Sequence, residues 1–282
     1  IPQHRRRELD GLPGLVDLGA GEGFESGQQY WAGHAVRIWR AAPGALHYPG
    51  SMPQTTTPDL PDLSSLFPPF GLVVTSGPLM LRLLRDEDFP EYTELLRKPI
   101  FDRADADYVF PWYAVPEEER VKNSVTFQWA QRARSTPEDW VLTFGVWADG
   151  TLIGSQDINA KHFAKTRMVG SGSWLTLDAH GKGYGGLMRR TVLALAFDHL
   201  GARRAESSAE VSNAASFAVS RSCGYQPNGD AVAMDMDGVV RTEQRFVVTP
   251  ETFVRRDVQI EVTGLTPELR VQLGVDPAPE VD

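Results

Sequence analysis

Cysteine is almost absent from this chain, with Cys223 the single one in 282 residues. One thiol can form neither an internal disulfide nor a cysteine-based zinc site. A free cysteine is usually buried, so Cys223, in Ser220-Arg221-Ser222-Cys223-Gly224-Tyr225, reads as a small core residue at a helix end. With no disulfide to keep, the expected location is the cytoplasm. Long apolar runs are missing too: no stretch approaches the roughly 18 residues of a membrane span. The basic cluster Arg5-Arg6-Arg7 is not followed by an apolar segment, so it does not read as a secretory signal. Positive charge is also short, with 28 Lys and Arg against 37 Asp and Glu and a net charge of −9. Residues 1–76 share the deficit, so no part of the chain offers the basic surface that general nucleic-acid binding needs. No G-x-x-x-x-G-K-[ST] segment occurs, which excludes a Walker-type nucleotide loop.

What is present divides the chain in three. Residues 1–76 carry Gly and Pro without period, and eight prolines fall between positions 43 and 78. Apart from Trp31, Ile38 and Trp39 it holds few apolar anchors. The expectation is an extended linker, a disordered or non-native extension whose removal (residues 1–75) leaves the fold intact. Residues 77–250 have the periodicities of a folded domain. Leu79–Leu84 reads as a strand, Asp86-Glu87-Asp88 caps a helix to about Lys98, and Pro116-Glu117-Glu118-Glu119 opens a second helix carrying Val121, Val125 and Trp129. Strands at 140–147 and 152–158 flank the hairpin turn Ala148-Asp149-Gly150-Thr151. A strand at 169–177 leads into the glycines, a helix follows to about Phe197, and a strand covers 204–211. A helix from Asn213 to Cys223 closes on Gly224, and two strands, 231–236 and 239–248, turn at Asp237-Gly238. The order β-α-α-β-β-β-α-β-α-β-β predicts an α/β mixed sheet with helices on both faces. Residues 251–282 read as a tail with a strand-like piece at Val258–Val262.

The most informative segment is Gly181-Lys182-Gly183-Tyr184-Gly185-Gly186, between the strand Ser173–Asp178 and a helix with an apolar stripe at 188, 192, 195 and 196. Glycines at a strand-to-helix turn let backbone N–H groups approach an anion, and the helix start adds unpaired donors and a partial positive charge. That combination predicts a phosphate cradle over residues 180 to 186. The same glycines at 181, 183 and 186 also spell G-x-G-x-x-G, with Glu206 about twenty residues on, the literal form of a dinucleotide fingerprint. An antiparallel hairpin precedes it instead of the first strand of a repeating βαβ series, so a nucleotide-dependent oxidoreductase is the weaker reading.

Three stretches in this order resemble the GNAT family of N-acetyltransferases, and within it the ribosomal-protein RimJ/RimL-like branch. They are Gly172-Ser173-Trp174-Leu175; His180-Gly181-Lys182-Gly183-Tyr184-Gly185, similar to the family's Q/R-x-x-G-x-G/A loop; and Asn213-Ala214-Ala215-Ser216 with the closing Gly224-Tyr225. His180 stands where the family usually has Gln or Arg, and reads as an exposed side chain. The resemblance covers about residues 77–250. It implies a mostly antiparallel sheet splayed between the fourth and fifth strands of the domain, 173–177 and 204–211, with acetyl-CoA as co-substrate and its arm in the gap. It implies direct transfer to a primary amine, on a protein N-terminus or a small molecule, with no nucleic acid or membrane partner and with a homodimer left open. The non-catalytic alternative, an acyl-CoA-binding module, keeps the fold without the chemistry.

The site expected on that basis uses Leu175, Thr176 and Leu177 beside the acyl carrier, and His180, Gly181, Lys182, Gly183, Tyr184, Gly185 and Gly186 at the pyrophosphate. Asn213 and Ser216 complete the cofactor side, with Ser216 donating to the leaving thiolate. No metal is expected. A backbone N–H of segment 174–176 is the expected oxyanion donor. For the base that deprotonates the amine, the candidates are Glu206, Glu210, Asp157 and His162, with Glu210 the first choice. Tyr108, Phe110, Trp112 and Tyr113, with Asp105 and Asp107, are the expected acceptor wall.

Overall fold

Alternating apolar residues build the sheet from residue 72 onward, earlier than the sequence suggests. The structure, a computed structural model, describes residues 62–101, 111–234 and 240–276. A short helix α1 (Leu63–Leu66) precedes β1 (Val73–Ser76) and β2 (Leu79–Leu83), which pair as a hairpin with Leu72, Val74, Leu79 and Leu81 buried. The prolines at 68 and 69 form a single tight turn rather than an extended linker. Residues 62–76 are therefore an edge of the domain, and only the segment 1–61 of the expected extension lies outside the described residues.

Next come α2 (Phe89–Arg97), α3 (Pro111–Ala114) and α4 (Glu117–Arg134), then the long hairpin β3 (Asp139–Ala148) and β4 (Thr151–Lys161). A one-turn helix α5 (Phe163–Thr166) leads to β5 (Met168–Gly170) and β6 (Ser173–Leu175). Helix α6 (Tyr184–Ala194), ending in a π turn over Leu195–His199, precedes β7 (Arg204–Glu210) and α7 (Ala214–Ser222). Strands β8 (Gln226–Met234) and β9 (Val240–Val248) form a hairpin whose expected turn, Asp237-Gly238, lies outside the described residues.

With β10 at Glu261–Thr263, the strand order is β10-β1-β2-β3-β4-β5-β7-β9-β8, with β6 also on β4. Every pairing is antiparallel except β5 with β7. One face packs on α6, through Met188, Val192, Leu193 and Leu195, against Phe144, Ile158, Ala205 and Phe246. The other face carries a second core of Tyr92, Leu95, Trp112, Trp147 and Trp174 under α2 and α3. Cys223 is fully buried, as its sequence context indicates. Among the described residues, no helix is long and apolar enough to cross a membrane.

Two further expectations are corrected. The 251–282 segment is no tail up to residue 276: β10 (Glu261–Thr263) pairs with β1, and α8 (Pro267–Gln272) sets Leu269 and Leu273 into the core. Helix α4 buries Arg120, Ser124, Gln128 and Gln131, and its Val121 and Val125 pack half-buried on the second core. Trp129 stays half exposed, its ring edge on Phe89 and its indole N–H on Asp86. The strand expected over 169–177 is two strands, broken at Ser171-Gly172.

Removing residues 1–75 should therefore cut out β1, uncover β2 and lower the melting temperature sharply. Leu273→Ala, at the other end of the chain, should cost about 2–5 kcal/mol in urea unfolding. A shortened chain that melts with the full-length one would refute this account of the edge.

Candidate active site

The break at Ser171-Gly172 opens the sheet. Up to that point β5 runs parallel to β7, with Gly170 level with Glu206, and the Ser171 N–H donates to the Glu206 carbonyl at 3.0 Å. Beyond it β6 stays on β4, which β5 already meets at Gly170 and Asn159, pairing Ser173 with Gln156 and Leu175 with Gly154, while β7 continues along β9 without it. Two parallel strands that start together and then take different partners leave a wedge between them, with its apex at residues 171–172 and 206–207. The Thr176 N–H donates to the Ile153 carbonyl at 2.9 Å. Amide directions alternate along an antiparallel strand, so the Leu175 N–H faces away from β4, into the wedge.

The glycine loop lies at the wide end. Gly183 caps α6 at φ +83°, a left-handed conformation that a side chain strains. A Cβ there, or at Gly181, would point into open space, so the backbone alone shapes the cradle. The first N–H groups of an α-helix have no intrahelical partner, and here they face the loop mouth. Gly186 serves packing instead: a Cβ on it would come within 2.9 Å of the Arg190 guanidinium, which donates to the Ser222 carbonyl of α7. A cavity of about 270 Å³ borders the loop on its β3–β4 side, lined by Lys98, Asp178, Lys182 and Tyr184 among others.

Beneath the apex sits a buried polar cluster. Arg189 of α6, 4% exposed, donates to the Ser173 hydroxyl on β6 (3.0 Å) and to the Ser207 hydroxyl on β7 (3.2 Å), so one guanidinium spans the wedge. The Tyr225 hydroxyl lies 3.5 Å from that of Ser171, and burial raises its pKa. On β4, Asp157 is 7% exposed; its Oδ1 accepts from the Gly172 N–H (3.0 Å) and from Asn159 (3.1 Å). A Cβ on Gly172 would stand 2.8 Å from the Asp157 Oδ2, so only glycine lets this carboxylate lie over the apex. Burial pushes the carboxyl of Asp157 up to about 6, against the pull of those two hydrogen bonds and of the Arg189 charge.

Of the residues singled out by sequence, Leu175 borders the wedge, as do Gly181 and Gly183 at its mouth. Thr176 and Leu177 do not offer their amides: Thr176 is fully buried on Ile153, and the Leu177 N–H donates to the Pro99 carbonyl at 2.7 Å. Lys182 is exposed and Tyr184 and Gly185 half-buried around the helix start. His180 is exposed, with its Nε2 3.2 Å from the Leu175 carbonyl. Asn213 caps α7, its side chain accepting from the Ser216 N–H at 3.0 Å, and Ser216 is half-buried in that first turn. Glu206 is held by Arg204 (2.6 Å), and Glu210 accepts from the Ser212 hydroxyl. Glu210 lies four residues beyond Glu206, about 13 Å further from the apex. His162 caps α5 past the other end of β4. The rings of Trp112, on α3, and Trp174 lie 5.2 Å apart, tilted by 49°, and the Arg120 guanidinium lies over the Tyr113 ring at 4.1 Å. Tyr108, Phe110, Asp105 and Asp107 lie outside the described residues. Arg189 and Tyr225 were not read from sequence as parts of a site; an arginine among the apolar positions of α6 was the available signal for the first.

A mixed sheet splayed between parallel strands, with a glycine loop and helix start at the wide end, is the acetyltransferase architecture. The family model for the acetyltransferase (GNAT) domain matches residues 78–226, and the chain belongs to that family. Solved structures share the fold. RimJ of Mycobacterium smegmatis, in complex with CoA-disulfide, aligns at 19% identity over 64% of this chain and 88% of its own, with a TM-score of 0.51. RimL, the ribosomal L7/L12 alpha-N-protein acetyltransferase in complex with coenzyme A, aligns at 20% identity over 63% and 97%, with the same TM-score. A GNAT-family acetyltransferase from Bacillus anthracis aligns at 16% identity over 64% and 99%, again at 0.51.

The raised pKa of Asp157 carries a stability consequence. A carboxyl that is harder to ionise when folded costs nothing below its unfolded value near 3.8, and the penalty grows as pH rises to about 6. Above that the full penalty is on the order of 2–3 kcal/mol. Asp157→Asn, which keeps an oxygen for the Gly172 N–H, should therefore melt higher than wild type at pH 8, with the gain vanishing below pH 4. Equal melting temperatures at both pH values would contradict the burial argument.

Proposed function

We propose that the chain transfers an acetyl group from acetyl-CoA directly to a primary amine. The observation that carries this is the wedge between β6 and β7 with the capped glycine loop at its wide end. The donors fit the cofactor's chemistry in order. The N–H groups of residues 183–186 and the positive end of α6 suit a pyrophosphate. The Leu175 N–H and the strand edges of the wedge suit the amides of a pantetheine arm, and the thioester then reaches toward the apex. The same Leu175 amide, or a hydroxyl beside it, can hold developing oxyanion charge, a role for which losing one donor costs about 3 kcal/mol.

We assign Ser216, in the first turn of α7 behind the Asn213 cap, to protonate the departing thiolate. No acyl-enzyme is needed, since the chain's one thiol, Cys223, is fully buried. The acceptor is an amine of a protein N-terminus or a small molecule, received on the face that carries Trp112, Tyr113 and Trp174.

Calorimetric titration with acetyl-CoA should give micromolar binding, and NADPH none; binding of NADPH alone would return the glycines to a dinucleotide role. Gly183→Glu, which adds both a strained φ and a negative charge to the cradle, should abolish acetyl-CoA binding. Ser216→Ala should lower turnover while leaving acetyl-CoA affinity within a few fold; unchanged turnover would reduce Ser216 to a helix residue.

A further inference from the structure

We infer that Asp157 is the general base that takes the proton from the acceptor ammonium, acting at the apex of the wedge through its Oδ2; this rests on the acetyltransferase reading above. Four observations place it. The face is right. Ile158 and Ala160 of β4 belong to the core under α6, so Asp157 points to the opposite side, where Trp174 and Trp112 lie. The position is right, because Oδ2 lies over Gly172, the residue at which β6 leaves β7. Among the described residues one oxygen is held and the other is not: Oδ1 takes both hydrogen bonds, which fixes the carboxylate and leaves Oδ2 to act. The rivals are committed elsewhere. On β7 the Ser207 side faces Arg189, so Glu206, Ser208 and Glu210 share the face of Asp157 across the wedge. Glu206 is neutralised by Arg204, and Glu210 stands at the wide end against Ser212.

The proton path balances. An ammonium R–NH3⁺ gives one proton to Asp157 Oδ2, directly or through one water, and becomes R–NH2. The nitrogen lone pair forms the new C–N bond at the thioester carbonyl as the C–S bond breaks, and the electron pair of that bond leaves on sulfur. The second N–H proton passes to the thiolate, and Asp157 returns its proton to solvent. Net, one ammonium and one thioester give an amide, a thiol and a proton. The groups acting on Asp157 are Asn159 on its own strand, the Gly172 N–H and Arg189 from α6. The first two hold the ionised form in place, and burial keeps it basic enough to accept a proton near neutral pH.

The test combines three readouts on the full chain and its Asp157→Asn variant. Carbon NMR of the aspartate carboxyls, assigned by the signal missing in the variant, should show a group titrating near 6; a midpoint near 4 overturns the proposal. Calorimetry with acetyl-CoA should give the two proteins dissociation constants within threefold. If wild type does not bind acetyl-CoA, the acetyltransferase reading itself has failed. Thiol release with short free-amine peptides and n-butylamine as acceptors, followed from pH 5 to 9, should rise with pH through about 6 in wild type. The variant should lose about 100-fold in kcat with little change in KM for acetyl-CoA. Turnover retained by Asp157→Asn, or a larger loss in Glu210→Gln, would assign the proton to another group.

Discussion

A single interruption of hydrogen bonding organises the molecule. After the Ser171 N–H reaches the Glu206 carbonyl, the chain stops pairing with β7 and keeps only β4, so the Leu175 amide is turned toward a gap instead of a neighbouring strand. Unpaired strand edges are costly when buried and are ready to pair with anything extended that fits. The wedge stays open because both of its walls are satisfied on their outer sides, β6 by β4 and β7 by β9. The glycine at 172 is part of the same device. A Cβ at that position would stand 2.8 Å from the Asp157 Oδ2, so the break, the glycine and the carboxylate form one unit.

The domain was largely legible, because its signals are local. The glycine loop, the 148–151 turn, the Asn213 cap and the closing Gly224 each act within a few residues, and the strands and helices around them follow. What could not be read depends on distant partners. Nothing near Leu72 or Leu269 in the sequence shows that β1 and β10 pair across some 190 positions, so prolines at one end and acidic residues at the other suggested loose termini. On α4 the fully buried positions are polar, while Val121 and Val125 pack half-buried on the second core and Trp129 finds a local partner in Phe89. Within the site, backbone cradles were visible as glycines. The identity of the amide facing the gap was not, since it turns on register: Thr176 and Leu177 bond inward, and Leu175 between Trp174 and Thr176 does not.

The same register decides which carboxylate sits at the chemistry. Alternation on β7 correctly groups Glu206 with Glu210, but it says nothing of distance from an apex that only the break at 171–172 defines. Asp157, on a strand that is buried throughout most of its length, stands in sequence as one candidate base among four, with nothing local to set it above Glu210. In the fold its charged neighbour is Arg189, whose own hydrogen bonds go to Ser173 and Ser207 and not to the carboxylate. The arginine therefore tempers the cost of burying Asp157 without neutralising it. A direct ion pair would have fixed the carboxyl as a weak base; full burial without any cation would have kept it protonated. Burial, set against the hydrogen bonds of Asn159 and Gly172 and the Arg189 charge, holds it between those limits, with a pKa of about 6, where a base can both accept a proton and release it. The stability given up to keep that carboxylate buried is the physical counterpart of its basicity, as both arise from the same loss of water.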